Sequence, residues 1–125
     1  MKGLMYMRLK SVFIALVVTF IPSISYAENC GEVSANDQLI ECLGNEFSKT
    51  DKTLNKVYKD LRARVSQDGK EFLRKGQIAW LIYRDKDCEF QAEAVSGGQV
   101  FQPTYISCQI KKTEYRIVEL KKSGC

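Results

Sequence analysis

Five cysteines in a short chain without histidine are the strongest constraint that this sequence places on its own fold. They are Cys30, Cys42, Cys88, Cys108 and Cys125. None of their separations is the Cys-x-x-Cys spacing of structural zinc sites, and the chain has no imidazole to complete such a site. Cysteines of small exported domains usually pair with one another. The pattern therefore predicts a disulfide framework, with no metal site and no cofactor.

The first 27 residues have the pattern of an export signal rather than of a folded segment. Three basic residues precede an apolar run over residues 12–21, and Ser25 and Ala27 place small side chains ahead of cleavage before Glu28. The apolar run has about 10 residues, well short of the roughly 20 that a membrane-spanning helix needs. We therefore expect residues 28–125 to form one periplasmic or secreted domain that is not inserted in a membrane.

The predicted signal also carries most of the net positive charge of the chain. Its basic residues are its only charged ones, so removing it lowers the formal net charge from +4 to +1. Nucleic-acid binding needs a concentrated basic surface, which a nearly neutral domain lacks. The sequence thus argues against a nucleic-acid partner.

Apolar residues recur at three- and four-residue spacing along three segments, which predicts three helices. The first should begin near Ser34, which forms a capping-box pattern with Asp37, and should end before a break at residues 66–69. The second should end near Ala94, and Pro103 suits the first turn of the third. Short connections between three helices predict a small all-α bundle, antiparallel and in up-down-up order.

The second predicted helix contains the only tryptophan of the chain, within residues 77–88. We expect this helix to be buried along one apolar face. That face consists of Leu73, Gly76, Ala79, Trp80, Ile82 and Tyr83.

The up-down-up order also sets which cysteines can meet. If the second and third helices fold back near Gly98, residues whose numbers add up to about 196 lie level, which pairs Cys88 with Cys108 at one end of the bundle. Cys42 lies about 9 Å further along the axis, so Cys30, on a segment that can run back along the first helix, is its expected partner. Pairing of Cys42 with Cys88 or Cys108 stays open.

The corresponding register between the first two helices brings Arg84 close to Asp51. We expect a partly buried ion pair between these residues, with Asn55 in the same polar layer. Because breaking one member of a buried pair can cost about 3 to 5 kcal/mol, we interpret this cluster as structural. No catalytic residue is predicted, since the chain has no histidine to act as a general base, and we expect that it is not an enzyme.

Several of these residues form an ordered pattern with fixed spacing. It runs Cys42, Asp51-x-x-Leu54-Asn55-x-x-Tyr58, Gln77-x-x-Trp80-x-x-Tyr83-Arg84-Asp85-x-x-Cys88, Gly97-Gly98, Cys108 and Thr113-x-x-Arg116-x-x-x-Leu120. This pattern resembles the LprI N-terminal-domain family of exported bacterial proteins and covers the chain from Cys30 to Leu120. The resemblance implies a small helical, disulfide-bonded fold. The family takes its name from a member that inhibits lysozyme, so the resemblance also implies a protein partner, with lysozyme as the leading candidate.

We therefore expect a lysozyme inhibitor that blocks the enzyme cleft by binding, with its contact site in the loop between the second and third helices. A disulfide across the stems of this loop would lower the cost of ordering it on binding. Gly97 and Gly98 permit close backbone approach, Gln99 can form hydrogen bonds, and Phe101 can act as an anchor. The competing interpretation makes Phe101 a plug over the open end of the bundle.

A second hypothesis assigns the chain to a different class. It is a non-enzymatic envelope interaction or stress protein whose partner is not lysozyme. Cys125 has no predicted partner within the chain, so a disulfide-linked dimer through it is an open alternative under this hypothesis.

Overall fold

The computed structural model describes residues 29–95 and 98–123, and three helices make up nearly all of them. A short 3-10 helix, Cys30–Glu32, is followed by α1 (Asn36–Arg64), α2 (Gln67–Glu93) and α3 (Phe101–Lys122). The predicted all-α fold with three helices is confirmed. In residues 29–95 and 98–123, none of the helices is both long and apolar enough to cross a membrane. The predicted signal segment, Gly97 and Cys125 lie outside the described residues.

The third helix is the centre of the bundle. Both α1 and α2 pack along α3, whereas α1 and α2 contact each other only slightly. Two apolar clusters fill the seam between α1 and α3. Near the start of both helices, Leu43 packs with Ile106 and Ile110. Towards their far ends, Leu54 and Leu61 pack with Ile117 and Leu120. Most of the apolar core therefore lies in this seam, and α2 adds Leu73 and Trp80 to the second cluster.

The second helix buries a different face from the one predicted. Its buried residues are Gln77, Arg84, Cys88 and Ala92. Of the predicted face, Leu73 and Trp80 are half-buried and pack against the second apolar cluster, as expected. Its other members, Gly76, Ala79, Ile82 and Tyr83, are exposed. The helix is rotated about its own axis relative to the prediction. The reason is that the disulfide at Cys88 and the contacts of Arg84 fix which side of α2 faces α3. A largely apolar stripe is thereby left on the outside.

The helix ends also differ in detail from the prediction. Ala35, rather than Ser34, is the residue before α1, and it supplies no side-chain cap, so the predicted capping box is wrong. At the α1–α2 turn, by contrast, the Ser66 hydroxyl accepts a hydrogen bond of 3.1 Å from the backbone N–H of Gly69. Because this caps an otherwise unsatisfied N–H, it fixes the start of α2 directly after the turn.

Both predicted disulfides are present, and they lie at the same end of the bundle. Cys30 is bonded to Cys42, with the two Cα atoms 5.8 Å apart. Cys88 is bonded to Cys108, with the Cα atoms 5.6 Å apart. We call this end, which also holds the start of α1 and the α2–α3 connection, the cross-linked end. The register predicted between α2 and α3 is therefore confirmed at the bridge itself.

Candidate functional site

A buried arginine joins the three helices near the middle of the bundle. The Nε of Arg84 donates to Asp85 Oδ1 at 2.8 Å, and its Nη1 donates to Thr113 Oγ1 at 3.3 Å. The same Nη1 lies 3.6 Å from Asp51 Oδ1, which is the ion pair expected from the register. Asn55 is exposed and donates to the other oxygen of Asp51 at 3.1 Å. These contacts tie α2 to α1 and α3 at one level.

Aromatic rings enclose the same guanidinium group. Its Cζ lies 5.2 Å from the ring centre of Phe47 and 5.4 Å from that of Trp80. Arg116 also approaches Trp80, with its Cζ 5.6 Å from the ring centre, and its Nε donates to Gln77 at 3.1 Å. Cations over aromatic faces gain strength when water is excluded, so these contacts add to the ion pairs. Gln77 and Arg116 were not predicted as members of this layer.

An amide and a phenol extend the cluster towards the cross-linked end. Gln109 is buried, and its Nε2 lies 2.9 Å from Asp85 Oδ1 and 3.1 Å from the Tyr105 hydroxyl. Burial raises the pKa of Tyr105, and the negative charges of Asp85 and Glu89 raise it further. A phenol with a raised pKa stays protonated, which suits a hydrogen-bonding role rather than that of a base. Gln109 was also not predicted as a member of the cluster. Its position one helical turn before Thr113 places it beside Asp85 only when the register between α2 and α3 is known.

The acidic side chains of α2 near the loop are largely engaged by neighbouring groups. Lys112 Nζ lies 2.7 Å from Asp87 Oδ2, and Gln91 donates to the same oxygen at 2.6 Å. Hydrogen bonds from Lys112 and Gln91 lower the pKa of Asp87, and the bond to Asp87 raises the pKa of Lys112. Glu89 pairs with Lys86 at 2.8 Å. This surface therefore offers little free negative charge to attract a cationic partner.

The predicted contact loop is at the tip of the cross-linked end. Gly98 has φ of 79°, in the left-handed region that glycine adopts without strain. Gln99 is exposed, and Phe101 is half-buried at the start of α3, with its ring 6.2 Å from that of Tyr105 in a stacked arrangement. Cys88 lies five residues before the end of α2, so the bridge clamps the stems about 7 to 8 Å below that helix end. Gln99 and Phe101 therefore extend from a supported base.

A groove between α1 and α3 was not predicted. It has a volume of about 550 Å³, and Leu43 and Ile110 contribute buried apolar side chains to its lining. The lining also includes charged residues, Glu46, Lys111 and Glu114, and the exposed apolar residues Tyr115 and Val118. A second cavity of about 390 Å³ shares Leu43 and Ser107 with it and reaches Cys30. The groove exists because α2 lies along α3 and leaves one side of the α1–α3 seam uncovered.

Comparison with known protein families decides where this chain belongs. The family described as "Lysozyme inhibitor LprI" matches residues 29–120. The chain belongs to the LprI family. The LprI match includes both disulfides, the cluster around Arg84 and the α2–α3 connection, so it covers every feature described above.

Two curated relatives of this LprI-family chain are similar over most of their length. The uncharacterized protein R02472 of Rhizobium meliloti (strain 1021) is 29% identical over 108 residues, which cover 75% of this chain and 77% of that protein. The uncharacterized protein YecT of Escherichia coli (strain K12) is 26% identical over 118 residues, covering 78% of this chain and 73% of that protein. No solved structure matches the chain.

In residues 29–95 and 98–123 of the LprI-family chain, no group of three or more cysteine, aspartate or glutamate side chains could hold a metal ion. The buried side-chain nitrogen and oxygen atoms of this part all have hydrogen-bond partners. The polar cluster is therefore a network that holds the helices together, whereas the tip and the groove are accessible to a partner.

Proposed function

We propose that this protein is exported and inhibits lysozyme by occupying the enzyme cleft, with the tip of the cross-linked end as its contact surface. The observation that carries the proposal is membership of a family described as lysozyme inhibitors, matched over residues 29–120. Two disulfides support export, since such bonds persist in oxidising compartments. The family match also begins two residues after the predicted signal segment.

The tip suits a binder that acts without chemistry. Its stems are clamped by the Cys88–Cys108 bridge, and Phe101 is stacked on Tyr105, which lowers the cost of ordering these contact residues on binding. Enzymes that cleave glycosidic bonds place two carboxyl groups beside the scissile bond. The exposed amide of Gln99 can donate a hydrogen bond to such a group, while Phe101 offers an apolar anchor. Inhibition would then result from occupation of the site.

A second candidate function follows from the groove between α1 and α3. An amphipathic helix of another envelope protein would place its apolar side chains over Leu43 and Ile110, with its charged flanks near Glu46, Lys111 and Glu114. This corresponds to the interaction or stress protein of the second hypothesis. The specific observation that favours it is the exposure of Tyr115 and Val118 at the groove.

One set of assays separates the two candidates. Lysis of bacterial cell walls is measured with several lysozyme types, with and without the purified mature protein at micromolar concentration. Three variants are compared with the natural protein: a tip variant (Gln99→Ala with Phe101→Ala), a groove variant (Val118→Glu) and a matched surface control (Lys59→Ala). Circular dichroism checks that each variant remains helical.

The expected result is slower lysis with the natural protein, the groove variant and the control, and at least a tenfold loss of inhibition with the tip variant. Full inhibition by a folded tip variant would remove the proposed contact surface. Selective loss with Val118→Glu would move the site to the groove. Unchanged lysis with every lysozyme type would overturn the proposed inhibition and favour the second candidate.

A further inference from the structure

The outer face of α2 carries large apolar side chains that contact solvent. Phe72 and Phe90 are 72% and 73% exposed, and Ile82 and Tyr83 are 60% and 55% exposed. Single exposed apolar residues are normal on protein surfaces, but several on one face of a helix point to an interaction site. Tyr83 is contacted by Lys112 of α3, whose Nζ lies 4.8 Å from the ring centre. The stripe lies on the side of α2 opposite to Arg84 and Cys88, so neither the polar cluster nor the core accounts for Phe72, Ile82 and Phe90.

The spacing along the stripe matches a helix seam that pairs with a second helix. Positions 72, 76, 79, 83, 86 and 90 alternate in steps of four and three, as in a coiled coil. The positions are also symmetric about Leu81, because Phe72 and Phe90 are equally far from it, as are Ala79 and Tyr83. If a second copy of α2 lies antiparallel on the first, Phe72 of each copy meets Phe90 of the other. The same sequence therefore supplies both sides of the contact.

A glycine in this stripe supports the same arrangement. Gly76 is exposed in the interior of α2, and a Cβ atom built on it would have no neighbour within 4 Å. Glycine weakens a helix interior, and nothing in the monomer requires one here. In the antiparallel pair, Gly76 faces Lys86 of the second copy. The missing side chain leaves room for the long aliphatic part of that lysine to reach solvent.

The charges beside the stripe are complementary under the same symmetry. Lys75 and Glu89 are on one flank, with side chains 65% and 47% exposed, and each pairs with a neighbour in its own helix. Exposed pairs of this kind are weak and can exchange partners. Antiparallel packing brings Lys75 of each copy close to Glu89 of the other, and Ile82 meets its own counterpart near the symmetry axis. Opposite charges at both ends of the contact favour this register over one shifted by a turn.

The area of the stripe indicates how strong the contact is. Large aromatic side chains bury about 150–250 Å² each, so the exposed parts of the stripe amount to roughly 400–500 Å² per copy. Two copies together would bury about 800–1,000 Å², below the 1,200–2,000 Å² of stable complexes. The contact is therefore expected to be weak and reversible.

We propose that the outer face of α2 is the interface of a reversible antiparallel dimer, with its two-fold axis near Leu81 and Ile82. The proposal is independent of the proposed inhibition of lysozyme. It also differs from a covalent dimer through Cys125, because it requires no intermolecular disulfide.

Sedimentation equilibrium of the mature chain carrying Cys125→Ser tests the interface, with protein from micromolar to millimolar concentration. The natural stripe should give a monomer–dimer equilibrium. Ile82→Glu places two like charges at the axis and should raise the dissociation constant at least tenfold. The control Val118→Glu puts the same charge on an exposed position of α3 and should leave the dissociation constant unchanged.

Charge reversal tests the register. Lys75→Glu or Glu89→Lys alone should weaken the dimer about threefold to tenfold, and the double variant should return to within about threefold of the natural value. A disulfide trap detects a weak dimer: in the Cys125→Ser background, Ile82→Cys should cross-link under mild oxidation and Ile78→Cys should not. A strictly monomeric chain that gives no Ile82→Cys cross-link would overturn the proposal. So would a dimer that Ile82→Glu leaves unchanged.

Discussion

Arg84 of α2 and Thr113 of α3 face each other in the interior, with 3.3 Å between Nη1 and Oγ1. Both residues are buried, and the threonine hydroxyl donates onward to the backbone carbonyl of Gln109 at 2.7 Å. The guanidinium reaches Asp51 of α1 at the same level. A charged side chain therefore holds α2 in place where a helical bundle commonly uses apolar packing.

Removing this side chain should strongly destabilise the fold. Arg84→Ala is expected to lower the free energy of unfolding by about 2 to 4 kcal/mol, less than for a fully buried pair because Asp51 and Asp85 are partly exposed. Arg84→Lys should recover only part of the loss, since an ammonium group cannot reproduce the planar fork of donors. Urea unfolding measures both variants. The exposed Arg74, which pairs with Glu71 in its own helix, serves as control, and an equal loss with Arg74→Ala would contradict this account.

The two disulfides should have similar effects on global stability and different local effects. They close loops of 12 and 20 residues, and loops of this length are each worth about 3 kcal/mol on the chain-entropy argument. Replacing Cys88 and Cys108 with alanine should also speed hydrogen exchange at the end of α2 and the start of α3. Replacing Cys30 and Cys42 should leave exchange there unchanged. Equal acceleration in both variants would show that the Cys88–Cys108 bridge does not specifically support the tip.

Stability should depend on pH through the pair formed by Lys112 and Asp87. The pKa of Asp87 is lowered from its ordinary value of 3.8, so its contribution is complete above that pH and is lost as the pH falls through the lower folded value. The pKa of Lys112 is raised from 10.5, so its contribution is complete below that pH and is lost as the pH rises through the higher folded value. Thermal unfolding of the natural protein and of Asp87→Asn should therefore differ by a constant amount between about pH 5 and 9. A difference that varies through neutral pH would contradict the assignment.

The backbone conformation at Gly98 predicts that stability falls in the order glycine, asparagine, alanine at this position. Gly98→Ala should cost about 1 kcal/mol, because a φ of 79° is strained for a residue with a Cβ atom. The surroundings are open around that atom, so the cost arises from the backbone alone. Asparagine tolerates this conformation better, and Gly98→Asn should fall between glycine and alanine in urea unfolding. Equal stability of all three proteins would contradict the series.

The axial register between α2 and α3 could be predicted from the sequence, whereas the rotation of α2 about its own axis was predicted wrongly. Cys88 and Cys108 were paired because helix length and turn position determine which residues lie level. The face of α2 was misassigned because apolar spacing was given more weight than the cysteine. Counting back from Cys88 in helical steps reaches Arg84 and Gln77, the face that is buried. The position of Cys88 thus indicates the buried face of α2, and the spacing of the apolar residues indicates a different one.

The groove could not be anticipated for a related reason. A closed bundle, in which each helix packs on both others, has no such groove, and the sequence does not say that α1 and α2 barely touch. That separation depends on how α3 is shared between them, which is a property of the whole packing arrangement rather than of any one segment. The tip residues Gln99 and Phe101 stay a prediction, since their assignment to a partner depends on binding.

Both described disulfides lie near one pole of the molecule, so local stability is expected to differ along its length. Heat or a protease should open it first at the opposite pole, where the turn at Val65 and Ser66 and the last residues of α3 are held by noncovalent contacts alone. Unfolding would then spread along the bundle and slow down where the disulfides restrain the chain. Under the proposed function, the surface that meets lysozyme would then be the last part of the protein to lose its shape.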